Sequence, residues 1–149
     1  MFTGTGGFGV KNMPSAHSQT MPKKCVTCHM HRQKVENNDK SDLTLKKGGH
    51  TFRPDDGICL ECHKDPKALV AKWRVEISPL IKQLKTLLDS ASNKKSRRYR
   101  RIRLNYEIVT ADGGTGIHNP RYAQILLRYS ILSLIEESKR QDAQRLGNQ

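Results

Sequence analysis

The sequence predicts a mainly α-helical chain, with little or no β structure, whose core is not built from polypeptide alone. Three observations lead there. Apolar residues in the second half recur at steps of three and four. Only 35% of the 149 residues are hydrophobic and 5% aromatic, which is lean for a self-sufficient core. The chain also writes Cys-x-x-Cys-His twice, as "CVTCH" at 25–29 and "CLECH" at 59–63, and these two words use all four of its cysteines.

In chain order, residues 1–24 are rich in Gly, Ser, Thr and Pro and lack periodicity, so an irregular segment held only by what it touches is expected. Residues 25–66 hold the two cysteine words, separated by a polar stretch that offers turns and almost no core. That region is not a packed polypeptide domain by itself. Residues 67–149 form the helical region, where Leu69, Trp73, Ile77, Leu80, Ile81, Leu84, Leu87 and Leu88 draw one apolar stripe. Pro79 inside the run should kink that helix or mark where it hands over to a second. The basic stretch "NKKSRRYRRIR" leads into "LNYEIV", a further helix, and "TADGGTG" is a strong break. Asn119 and Pro120 then read as an N-cap and a first-turn proline. The last helix is expected to bury Tyr122, Ile125, Leu126, Tyr129, Leu132 and Ile135, closing a long C-terminal helical hairpin.

Lys and Arg number 27 against 14 Asp and Glu, a net charge of +13. Such a balance asks for an acidic counterpart: nucleic acid, a membrane surface, or bound groups that carry carboxylates. No run approaches the length of a membrane-spanning helix, and residues 1–22 lack the basic start and apolar centre of a signal peptide. The expectation is that an export signal has been removed or that the chain is a segment of something longer.

Two readings of the cysteine words compete. In one, each word is a c-type haem attachment site: both thiols add to porphyrin vinyl groups as thioethers, and the adjacent His gives a nitrogen to the iron. In the other, Cys25, Cys28, Cys59 and Cys62 form a four-thiolate zinc site of the kind that zinc ribbons use on nucleic acid. The histidines favour haem. Zinc held by four thiolates has no use for His29 and His63, whereas haem needs a His at that place both times. Two porphyrins would also supply the apolar area that the chain does not encode. Their propionates would add roughly four negative charges, two per haem, for Lys and Arg to pair with, so nucleic acid is not needed to explain the charge.

The order "CVTCHM", "GGHTF", "CLECHKDPKALVAKWRVEISPLIKQLKTLL" and "GTGIHNPRYAQILL" resembles the C-terminal part of the pentahaem ammonia-forming cytochrome c nitrite reductases and related multihaem cytochromes. The likeness runs from about residue 17 to 127. It implies that Cys25 with Cys28 and Cys59 with Cys62 each bind one haem c, with His29 and His63 as proximal ligands. It implies further that His118 caps the iron of the first haem and His17 that of the second, leaving both irons six-coordinate and low-spin. His50 matches a residue that serves a third haem bound by earlier sequence, which here would come from a partner. The family's catalytic haem sits on a Cys-x-x-Cys-Lys word and faces residues upstream of the matched region; neither these nor the calcium-site residues have a counterpart here. The resemblance thus implies the electron-transfer half of such an architecture, with nitrite reduction by this chain alone not expected.

Less specific features take plainer readings. His31 is expected to be exposed, Met13, Met21 and Met30 to pack or face solvent, and Trp73 to belong to the core. The arginines between 97 and 103 form a solvated face, or else a docking patch or propionate clamp. The sequence therefore leads to a cofactor-cored, mainly α dihaem cytochrome c that passes single electrons to or from a redox partner, a further multihaem subunit or another copy sharing haem ligands. A subunit or fragment of a multihaem oxidoreductase with its active site on another chain is the alternative. Thioether attachment implies a periplasmic or extracellular setting.

Overall fold

The computed structural model describes residues 1–31, 51–54 and 56–147. It is 65% helix, and no strand occurs among the described residues. The described helices are α1 (Ala16–Thr20), α2 (Cys25–His29), α3 (Asp56–Leu60), α4 (Pro66–Ser90), α5 (Arg97–Ala111) and α6 (Pro120–Leu146). They belong to two compact units, Met1–Ser15 with Ala71–Gln149, and Ala16–Val70. The division falls inside α4.

The first unit holds the apolar core. From α4 come Ile77, Leu84 and Leu88, with Trp73, Leu80, Ile81 and Leu87 partly buried beside them, which is the stripe that the spacing predicts. Asp65 starts this helix by accepting the Ala68 N–H at 2.9 Å on its side chain, and Pro66 occupies the first position. The helix does not hand over at Pro79 but runs through it. Pro79 cannot serve the carbonyl of Val75, yet both residues are exposed, so water can take that place.

Helix α5 begins earlier than "LNYEIV", within the basic stretch. Ser96 is its N-cap, accepting the Tyr99 N–H at 3.0 Å, and Tyr99, Ile102, Asn105 and Val109 make its buried side. The arginines stay outside that side. Arg103 pairs with Glu107 at 2.7 Å, Arg98 faces Glu137 at 3.9 Å, and Arg101 lies over the Phe8 ring at 4.9 Å.

Helix α6 packs against α5 and starts as expected: Asn119 accepts the Tyr122 N–H at 3.1 Å and Pro120 follows it. Its buried face is turned from the expected one. Tyr122 and Leu126 are buried, but so are Leu127, Ile131 and Leu134, whereas Leu132 is 60% exposed. Ile125, Tyr129 and Ile135 are partly buried. The small residues Ala123, Ser130 and Ser133 share the buried side, and small side chains let neighbouring backbone approach closely. A face drawn from the large side chains alone misses that.

The irregular segment Met1–Ser15 is stitched to these helices. Gly7 N–H donates to Tyr122 Oη at 2.9 Å; Asn105 accepts the Phe8 N–H at 2.7 Å and donates through Nδ2 to Phe8 O and Ser130 Oγ, both at 3.0 Å. Gly9, at φ 79°, lies so close to the Tyr129 ring that a Cβ would collide with it.

The unit Ala16–Val70 is built differently. Its helices α1, α2 and α3 have five residues each, and among its described residues only Pro66 is buried. Of the expected third haem site, His50 lies outside the described residues.

Candidate functional site

Both cysteine words sit on single helical turns. The first is α2 itself. In the second, Cys59 O accepts from Cys62 N at 3.2 Å and from His63 N at 2.8 Å, continuing α3 by a turn. Residues i, i+3 and i+4 share a helix face. Each word therefore presents two thiols and one imidazole on the same side. No disulfide joins any two of these cysteines.

Two described non-glycine residues have positive φ, and both flank the first word. Lys24, at 47°, precedes Cys25, and Phe52, at 54°, turns its carbonyl to His29. The His29 Nδ1 to Phe52 O distance is 2.7 Å. A carbonyl can only accept, so Nδ1 is the donor in this bond. The left-handed conformation at Phe52, costly for a residue with a Cβ, is what delivers that carbonyl.

The second word meets His17. The His17 and His63 rings lie 5.8 Å apart between centroids with an interplanar angle of 78°. Together with Met21, Thr27, Cys28, Ile58, Cys59, Glu61 and Cys62 they line a small cleft of about 70 Å³. The spacing can be tested against the expected cofactor. A metal–imidazole bond is about 2.0 Å, so two imidazoles on opposite sides of one iron hold their centroids roughly 6 Å apart. The 5.8 Å separation is close to that value, in a T-shaped arrangement that two rings in direct contact also adopt, and Cys59 and Cys62 line the same cleft.

The Cys28 thiol is pushed above its ordinary range, first by burial and then by Cys25 nearby. Among the described residues no three His, Cys, Asp or Glu side chains converge to hold a metal ion.

His118 belongs to the first unit, at the entrance to α6. Its Nδ1 lies 2.6 Å from Asp112 Oδ1. That hydrogen bond raises the His118 pKa, and burial partly opposes it. The connecting loop passes through Gly116, buried at φ 69°, whose missing Cβ leaves room for Ile77.

The structure thus gathers His17, His63, Cys28, Cys59 and Cys62 in one cleft and places Cys25 and His29 on the same turn as Cys28. Met21 lines the cleft, Met13 packs against the core with Trp73, and His31 is partly rather than fully exposed. Three participants were not foreseen: the Phe52 carbonyl, Asp112 and Asp65. The two aspartates could have been found by asking what orients His118 and what caps α4. A backbone carbonyl leaves no such mark. A larger cavity of about 240 Å³ opens among Leu87, Tyr99, Leu134, Glu137 and Arg145, but no cysteine or histidine lines it. Compared with protein-family models, curated proteins and solved structures, the chain matches none.

Proposed function

We propose that the chain is an electron-transfer module, a dihaem c-type cytochrome in which both irons are low-spin and ligated by two histidines. One observation carries this: His17 stands at ligand spacing from His63, within the cleft that Cys59 and Cys62 line. When bound, haem c supplies reversible one-electron iron chemistry. The protein's own part is to hold, orient and enclose. Cys25 with Cys28 and Cys59 with Cys62 anchor the two haems; His29, with its Nδ1 proton committed to Phe52 O, and His63 are the proximal ligands. His17 and His118 would supply the two further histidines, which would leave neither iron open to a substrate. The exposed apolar side chains of Val26, Phe52 and Leu60 beside the words would be covered by porphyrin. Electrons would then pass to or from a partner protein, in the exporting compartment where thioethers are made.

The test is the protein made in a host that attaches haem c. Its mass should exceed the polypeptide by two haems, its denatured band should stain for haem peroxidase activity, and its reduced spectrum should have sharp low-spin α and β bands. His17→Ala should open one iron, giving a partly high-spin spectrum and carbon monoxide binding that the parent lacks. A colourless protein ends the proposal. A His17→Ala spectrum identical to the parent removes its ligand assignment.

A further inference from the structure

Helix α5 turns a basic face outward. Arg97, Arg100, Arg101 and Leu104 stand at i, i+3, i+4 and i+7, so they share one side of the helix, away from the buried Tyr99, Ile102, Asn105 and Val109. All four are exposed, Leu104 at 44%. Their neighbours Arg98 and Arg103 have acidic partners in Glu137 and Glu107, whereas Arg97 and Arg100 have none among the described residues. Like charges three and four residues apart repel on a helix, and the first turn of α5 holds no acidic residue to meet the helix dipole. The folded chain bears that repulsion, and an external anion would relieve it. Roughly four propionate charges would still leave most of the +13 unbalanced.

We propose that this face of α5 is a docking surface for an acidic protein, with Leu104 as its apolar contact and Arg97, Arg100 and Arg101 as its charged ones. What the face offers decides among the acidic counterparts. A bilayer would need apolar side chains to insert, but Tyr99, Ile102 and Val109 are committed to the core. Single-stranded nucleic acid would need an aromatic ring to stack on, yet Tyr99 is buried, Tyr106 is partly buried, and the face itself carries none. A duplex would take the arginines on its phosphates and leave Leu104 without a role. A protein interface uses both, since it combines an apolar centre with a polar rim and is enriched in arginine. Arg101 already lies over the Phe8 ring at 4.9 Å, so it is partly ordered before a partner arrives and loses less freedom on binding. Every residue of this surface lies on α5, so the inference does not depend on haem.

The test is the full chain, produced in a host that attaches haem c and titrated with a fluorescent synthetic helical peptide that carries Glu and Leu on one face. The same peptide with Ala for Leu, a DNA duplex, and vesicles of phosphatidylglycerol in phosphatidylcholine are the comparisons. The Glu and Leu peptide should bind most tightly and lose affinity as salt rises. Arg97→Gln combined with Arg100→Gln should weaken it about five- to tenfold, and Leu104→Ala about threefold. Lys72→Gln combined with Arg74→Gln removes the same charge from exposed positions of α4 and should leave the affinity within about twofold of the parent. All these side chains are exposed, so circular dichroism of each variant should match the parent. Tighter binding of DNA or vesicles than of the peptide overturns the proposal, and so does an equal loss in the α4 variant. Peptide affinity that neither Leu104→Ala nor the Ala peptide lowers overturns it too, as does failure to bind any of the probes. A colourless protein that still binds the peptide through α5 would remove the dihaem reading and keep this one.

Discussion

Asn105 does the work of a whole turn in the N-terminal segment. Its amide accepts the Phe8 N–H, donates to Phe8 O and donates to Ser130 Oγ, and the residue itself is fully buried. A net contribution of about 1 kcal/mol per hydrogen bond makes Asn105→Ala destabilising by roughly 2–4 kcal/mol once the Phe8 backbone groups lose their partner. Chemical denaturation of the purified protein measures this, and a loss under about 0.5 kcal/mol would mean that water replaces the amide. At this scale a fixed spacing is legible in the sequence: positions i, i+3 and i+4 of each Cys-x-x-Cys-His word put two sulfurs and a nitrogen on one helical face. Asn105 was not readable, since an asparagine amid arginines looks like surface. The Phe52 carbonyl was not readable either, because every residue has one. Phe52→Gly should relieve the left-handed conformation while keeping the carbonyl, so the low-spin spectrum should persist with stability equal or higher. Loss of low-spin character in that variant would mean that the exposed phenyl ring, not the carbonyl, matters to His29.

Helices α4 and α6 begin with the same device, an Asp-Pro or Asn-Pro pair, and each pair follows a candidate ligand: His63 two residues before Asp65, His118 directly before Asn119. A rigid helix start is a sound place to fix a ligand. Asn119 has a second duty, donating to Met13 O at 2.7 Å. Asn119→Ala should therefore cost more than an ordinary cap, about 1.5–3 kcal/mol against the usual ~1 kcal/mol, measured by the same denaturation. The loop before α6 makes a pH prediction for protein produced without haem. The folded-state pKa of His118 is raised by Asp112 above its ordinary value of 6.5. The pair's contribution is then fully present below about pH 6.5 and fades as pH rises through the raised value. Asp112→Asn should remove that fall in stability on the alkaline side, and a parent whose stability is flat across this range would refute the contact. At this scale α4 was legible because its large apolar residues keep a strict period. The start of α5 was not, because Arg97 to Arg103 hide Tyr99 and Ile102, and the face of α6 was misdrawn because Ala123, Ser130 and Ser133 pack there without being large.

The two units differ in what holds them, and that difference bears on the order in which the molecule forms. Met1–Ser15 with Ala71–Gln149 contains the apolar core, from Ile77 to Leu134. Its stability can come from side-chain burial in the ordinary way. Ala16–Val70 contains both cysteine words, helices of five residues, and among its described residues no buried side chain but Pro66. Helices that short do not persist on their own hydrogen bonds, because nucleation costs more than one turn returns. If haem supplies the missing apolar area, then removing it should separate the behaviour of the two units. Protein with all four cysteines replaced by alanine, and so unable to bind haem covalently, should keep most of its helical circular dichroism, since α5, α6 and most of α4 lie in the cored unit. Limited proteolysis should cut it within 16–70 well before it cuts elsewhere, and the haem-loaded parent should resist cleavage in that same region. The sites are read by mass spectrometry of the fragments. Equal resistance of 16–70 in both proteins would mean that this unit is held by the polypeptide itself and not by cofactors.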